Sequence, residues 1–207
     1  MFYFVKTPWW IKKLYPACIW EMPADEKVLY LTFDDGPHPQ ATSFVLNELE
    51  KYNAKATFFC VGKNVTHHTD IYRRILNEGH RAGNHTFNHL NGWKVNDMAY
   101  FKDIAEASKN IDSVLFRPPY GKISKFQLKY LTDSFKMKVV MWSVLSGDFD
   151  AAVSGESCLK NVMRSAEPGN IIVFHDSEKA WSNLVYTLPK VLTHFTENGY
   201  RFEKLNL

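Results

Sequence analysis

Cysteine is scarce in this chain, with 3 in 207 residues at positions 18, 60 and 158 and no Cys-x-x-Cys pair. An odd, scattered set supports neither a disulfide framework nor a cysteine zinc cluster, and reduced thiols suit a cytoplasmic setting. Charge of one sign is lacking too: the formal net charge of +3 is too small to mark a nucleic-acid partner. No G-x-G-x-x-G or P-loop spacing occurs, so a nucleotide site has no support. Long apolar runs are also missing. The N-terminal stretch is apolar, but Lys6, Pro8 and Lys12-Lys13 interrupt it. It falls short of the roughly 7–15 residues of a secretory h-region and the roughly 20 of a membrane span. Residues 1–26 therefore read as a capping segment that packs its aromatics on one domain, residues 27–207. A cytoplasmic monomer with no stable membrane span is expected. Interfacial anchoring through Trp9, Trp10 and Trp20 is the alternative for that segment.

The composition is otherwise that of a globular domain, with 45% hydrophobic and 23% charged residues. The aromatic share of 15% points first to a large aromatic core and second to surfaces that stack on sugars. One stretch organises the rest. Val28-Leu29-Tyr30-Leu31-Thr32-Phe33 reads as a strand buried on both faces, and it stops at Asp34-Asp35, where Gly36-Pro37 breaks it. Two adjacent carboxylates at the end of a buried strand need partners. They suggest two acids with different tasks, one on a metal and one handling a proton.

Strands and helices then alternate. Further strands are expected at 54–62, 80–84, 114–116, 137–143, 171–174 and 200–204, with helices at 40–52, 70–78, 96–111, 124–133, 157–166 and 183–198. This order predicts a parallel sheet with helical crossovers. Polar residues recur just after the strands: Asp34-Asp35, His85, Arg117, Asp148 and His175. In a (β/α) barrel such strand ends converge on one face, which favours a barrel over an open sheet.

His85-Thr86-Phe87-Asn88-His89 holds two histidines four apart, a spacing that puts both imidazoles on one face of a helical turn. With Asp35 they complete a His, His, Asp set that leaves positions open for water, as catalytic sites do. The glutamate that follows the first histidine in many zinc peptidases is Thr86 here, so Asp34 is the candidate base. His67, His68, His80 and His194 have no such partners and read as structural or surface residues. His38 borders the two acids, and Trp142 reads as core.

Thr32-Phe33-Asp34-Asp35-Gly36, His85-Thr86-Phe87-Asn88-His89, Arg117-Pro118-Pro119-Tyr120 and Val173-Phe174-His175 occur in the order seen in polysaccharide deacetylases of the NodB-homology type, carbohydrate esterase family 4. The resemblance covers about residues 27–205. It implies a distorted, TIM-like (β/α) barrel of about seven parallel strands and one divalent cation, Zn2+ first, with Co2+, Ni2+ or Mn2+ as alternatives. Asp35, His85 and His89 look like its ligands, and Asp34 like the general base. Arg117 looks like the residue that holds Asp34, the Tyr120 backbone N–H like an oxyanion donor, and His175 like the general acid, oriented by Asp148. Pro119, Tyr120 and Phe149 are implied to meet the substrate. Where the family carries Asp-x-x-Asp-Trp, this chain reads Leu145-Ser146-Gly147-Asp148-Phe149, which alters the groove but not the metal ligands. The implied activity is removal of N-acetyl or O-acetyl groups from an acetylated glycan, for example one containing N-acetylglucosamine. Two rival functions are amide hydrolysis on a small non-sugar substrate and glycan binding without turnover.

Overall fold

The computed structural model describes residues 3–207. In chain order its elements are α1 (Trp9–Leu14), β1 (Val28–Asp34), α2 (Ala41–Glu50), β2 (Thr57–Cys60), α3 (Gly62–His67), α4 (Thr69–Asn77), β3 (Arg81–Asn84), α5 (Asp97–Ser108), β4 (Leu115–Phe116), α6 (Lys125–Asp133), β5 (Lys138–Val139), β6 (Val144–Leu145), α7 (Gly155–Ser165), β7 (Ile171–His175), α8 (Trp181–Glu197) and β8 (Arg201–Phe202). The sheet runs β5-β4-β3-β2-β1-β7-β6, with β8 paired to the start of β1, and every one of these pairings is parallel. Seven strands thus form a curled, barrel-like sheet with helices outside it, the fold class expected from the alternation.

β1 is the central strand, and its period of two explains its buried character on both faces. Leu29, Leu31 and Phe33 pack outward with Val45, Leu46 and Leu49 of α2 and Leu188, Val191 and Leu192 of α8. Phe33 stacks between Phe58 of β2 and Phe174 of β7, at 5.1 and 6.0 Å. The alternate residues Tyr30, Thr32 and Asp34 face inward, where Phe59, Leu115, Val140 and Ile171 fill the lower barrel. Register puts Asp34 opposite His175, so the base and acid candidates emerge side by side.

Two elements were not expected. Gly62, expected to end a strand, instead begins α3, and a would-be Cβ there would lie 2.7 Å from the Phe87 ring. The segment 137–143 does not form one long strand. Only β5 forms within it, β6 follows just beyond it, and the path between the two is open.

The N-terminal segment fills that opening. Ile19 pairs with Val140 in parallel and Lys6 with Val144 in antiparallel, while Leu145 N–H donates to the Val5 carbonyl at 2.8 Å. Trp20 is buried, its Nε1 donating to the Tyr15 carbonyl at 3.0 Å, so it has no free ring to offer a membrane surface. Trp9 and Trp10 stay exposed on α1. Met1 and Phe2 lie outside the described residues. No helix of the described residues is long and apolar enough to cross a membrane. The three cysteines are buried and free.

Candidate metal and acid–base site

The site is built at the C-terminal ends of β1, β3, β4 and β7 and on the loop after β6. At the first corner, Asp34 turns inward and Asp35 bends away with φ +83°, a left-handed conformation that costs a non-glycine residue about 1–3 kcal/mol. Surrounding bonds hold it there. Asn64 Nδ2 donates to the Asp35 carbonyl at 2.7 Å, and Gly36 N–H donates to Asp176 Oδ1 at 3.0 Å. Asp176 also accepts from Thr42 Oγ1 at 2.5 Å, and burial pushes its carboxyl up to about 8. Glycine is required at 36, since a Cβ would sit 2.0 Å from Asp176 Oδ2.

The His85–His89 segment is not a helical turn. Thr86 and His89 both have positive φ, +62° and +57°, and the chain loops so that both rings converge, with centroids 5.0 Å apart. Asp103 of α5, which sequence reading passed over, is the anchor. Its carboxylate accepts from Phe87 N and Asn88 N, each at 2.9 Å, and from Asn88 Nδ2 at 2.6 Å. Short-range pattern favours a helix for H-x-x-x-H, but a buried carboxylate that can satisfy two backbone N–H groups stabilises the loop instead. Thr86 Oγ1 adds an acceptor for Leu90 N at 3.1 Å.

These corners bring Asp35, His85 and His89 together, with one donor atom from each within 4.8 Å of the others. His89 Nε2 lies 3.1 Å and His85 Nε2 3.7 Å from Asp35 Oδ1. His85 Nδ1 lies 2.7 Å from the Arg117 carbonyl and donates to it, which leaves Nε2 as the free acceptor. Burial holds the His85 ring neutral by lowering its pKa to about 4, the form that ligates a metal. His89 Nδ1 is 3.2 Å from the Tyr120 hydroxyl, a side-chain role added to the backbone one expected of Tyr120. Burial acts to raise the Asp35 pKa, but the neighbouring histidines outweigh it and keep the group well below the carboxylate range. Two imidazoles and one carboxylate with an open side fit a divalent cation of the zinc type.

Arg117 is fully buried inside the barrel. Its Nη1 donates to Asp34 Oδ1 and to Thr32 Oγ1, both at 2.7 Å, its Nη2 to the Met141 carbonyl at 2.8 Å and its Nε to the Val140 carbonyl at 3.2 Å. The guanidinium also lies 4.1 Å over the Phe59 ring. A guanidinium so fully bonded cannot swing away, so the Asp34 carboxylate is fixed in direction.

On the other flank, Asp148 grips His175 twice, accepting from its backbone N–H at 2.7 Å and from Nδ1 at 2.8 Å. Burial alone would lower the imidazole pKa, but the Asp148 carboxylate overrides it and raises the group to about 9. Ser146 Oγ and Asn183 Nδ2 hold Asp148 in turn, at 3.0 and 3.1 Å. Phe149 packs edge-on to His175 at 5.1 Å.

Tyr120, with φ +60°, sits at the tip of the 118–121 turn and is 56% exposed. Pro119 is buried under that tip and serves the shape of the turn. His38 Nδ1 accepts from Ala41 N at the start of α2, and His80 is buried with its Nδ1 accepting from Ala56 N, both structural placements. A cleft of about 340 Å³ opens beside the ligands, lined by Asp35, Val61, Lys63, Asn64, Asn88 and His89.

Known proteins share this arrangement of chain. The polysaccharide deacetylase family model matches residues 21–139. A peptidoglycan-N-acetylglucosamine deacetylase of Bacillus cereus is 37% identical over 189 residues, covering 88% of each chain. A chitooligosaccharide deacetylase of Azorhizobium caulinodans is 33% identical over 159 residues, 73% of this chain and 75% of that one. The crystal structure of a peptidoglycan N-acetylglucosamine deacetylase in complex with 4-naphthalen-1-yl-N-oxidanyl-benzamide matches with a TM-score of 0.86 at 34% identity, over 96% of this chain and 95% of that one.

Proposed function

The chain belongs to the polysaccharide deacetylase family and is a hydrolase of that class, and from that premise we propose that it removes the N-acetyl group from N-acetylglucosamine residues of a glycan. The observation that carries this reading is the juxtaposition of three separate devices at one set of strand ends. They are the Asp35, His85 and His89 donor set, the Arg117-held Asp34 and the Asp148-held His175. Amide hydrolysis needs an activated nucleophile, a stabilised oxyanion and a proton for the leaving nitrogen, and each device meets one part of that need.

Asp35, His85 and His89 would hold one divalent cation, Zn2+ first. When bound, such an ion supplies Lewis acidity, lowering the pKa of water towards about 7 and polarising the acyl oxygen. Asp34 takes a proton from the attacking water, and Arg117 keeps the receiving oxygen pointed at it. The water oxygen bonds to the acyl carbon, and the Tyr120 backbone N–H donates to the charge that develops on the carbonyl oxygen. His175 gives its Nε2 proton to the nitrogen as the C–N bond breaks, while Nδ1–H stays bonded to Asp148. The products are acetate and the free amine.

Support for the sugar as substrate class comes from the relatives, one named for peptidoglycan N-acetylglucosamine and one for chitooligosaccharide. The test is acetate release by the zinc-loaded protein from N-acetylated chito-oligomers, peptidoglycan and acetylated xylan. Acetate from the first two and little from xylan is the expected result. No acetate from any of the three, with the cation bound, would overturn the reading.

A further inference from the structure

One large exposed side chain on the loop beyond the metal ligands has no place in the chemistry above. Trp93 is 60% exposed, a placement that leaves most of an indole in water. It lies four residues beyond His89, and Lys122, two residues beyond Tyr120, holds its Nζ 4.3 Å over the ring. The two loops that carry the reaction centre therefore meet again at this pair, one step further out.

The platform is rigid. Gln127 Nε2 donates to the Gly92 carbonyl at 2.8 Å, and Trp93 N–H donates to Asn91 Oδ1 at 3.0 Å. Gly92 lies so close to the Lys122 carbonyl that a Cβ there would come within 2.6 Å of it, which welds the two loops together. The ammonium covers one indole face through a cation–π contact. With that face covered and 60% of the residue still exposed, the opposite face is open to solvent. Among the described residues Lys122 pairs with no carboxylate. The cation is thus left free to hold the ring.

We propose that the open face of Trp93, pinned by Lys122, is a sugar-binding subsite that takes a neighbouring pyranose of the same glycan strand whose acetamido group is at Asp34 and His175. An indole presents a wide apolar face with few rotatable bonds, so a sugar ring stacks on it with little loss of side-chain freedom. A polymeric substrate must leave the reaction centre across one of its rims, and Trp93 would give one of them a fixed aromatic surface. The inference rests on the glycan reading above and adds a chain-length preference to it.

The experiment compares the zinc-loaded wild type, Trp93→Ala and Trp93→Phe on N,N′-diacetylchitobiose and hexa-N-acetylchitohexaose. Calorimetric binding of the hexamer to cation-free protein supplies a readout without turnover. The wild type is expected to prefer the hexamer. In Trp93→Ala the hexamer-to-dimer ratio of kcat/KM should fall by about tenfold, through KM rather than kcat, and hexamer binding should weaken by a similar factor. Trp93→Phe should recover most of both, since a flat ring remains. An exposed site tolerates these changes, so an unaltered Tm accompanies the expected result. Equal losses on both substrates, no loss on either, or a wild type with no preference for the hexamer would overturn the subsite while the deacetylase reading stands. A wild type that neither binds nor deacetylates either oligomer would take both down.

Discussion

Asp103 makes no contact with the ligand atoms, yet its removal should be felt at them. Its carboxylate accepts three hydrogen bonds from the ligand loop, two of them from the backbone N–H groups of Phe87 and Asn88. In Asp103→Ala those two donors lose a charged acceptor in a partly buried setting. At about 1–3 kcal/mol for each stranded donor, partly recovered by water, the protein should lose about 2–4 kcal/mol of stability. The same loop carries Thr86 at φ +62° and His89 at φ +57°, each held against a local cost of about 1–3 kcal/mol. Without the anchor that strain relaxes, and His89 leaves its position 3.1 Å from Asp35. Loss of an orienting partner of this kind weakens metal affinity by about 10–100-fold. Competition with a zinc chelator measures the affinity and thermal unfolding measures the stability. Asp103→Glu should restore part of each, because a carboxylate is still present. A destabilised Asp103→Ala protein that binds zinc within twofold of wild type would refute the reasoning, because the loop would then hold its shape without the anchor.

Three further outcomes are expected. Asp34→Asn should retain a full equivalent of zinc, measured by atomic emission, while kcat falls by about 10²–10⁴-fold, and a metal-free preparation would mean that Asp34 is itself a ligand. His85→Ala should instead lose the metal while circular dichroism still reports a folded barrel. The third concerns pH. The folded pKa of His175 is raised from 6.5 to about 9. The His175–Asp148 pairing therefore stabilises the fold fully below about 6.5 and is lost as pH rises through about 9. The acid must be protonated, so activity should fall on the alkaline side, and Asp148→Asn should move that limb of the kcat/KM profile to lower pH. An unmoved limb would assign it to another group.

The architecture was legible because β1 and β7 carry strong signals. Each is a near-continuous apolar run that ends abruptly in chemistry-bearing residues, and burial on both sides of a parallel sheet leaves that mark. Asp34, Arg117 and His175 were legible as strand-end residues, and register then brought Asp34 beside His175. The shape of the ligand loop was not. His85 and His89 invited a helical turn, and only a carboxylate fourteen residues beyond His89, Asp103, makes the looped form stable. Nothing local marks Asp103 among the other charged residues of its helix. β6 escaped notice for a related reason, since two residues give no periodicity, and pairing with β7 and with Val5 defines the strand. Trp20, which the sequence offered first as a packed aromatic and second as an interfacial one, is buried, its Nε1 donating to the Tyr15 carbonyl.

The seam between β5 and β6 bears on how this chain acquires its shape. Lys6 pairs with Val144, and Ile19 with Val140, contacts that span well over a hundred residues. On a ribosome the segment around Lys6 and Ile19 emerges before its partners and must wait, unpaired, until the seam has been synthesised. Closure is then a late event whose loop-closure entropy is met only after most of the barrel stands. Until it happens, two strand edges lie bare with their N–H and C=O groups unclaimed, the form in which sheets recruit foreign strands. Damage to the first twenty-two residues would therefore surface as aggregation during synthesis before it surfaced as lost activity in the finished protein.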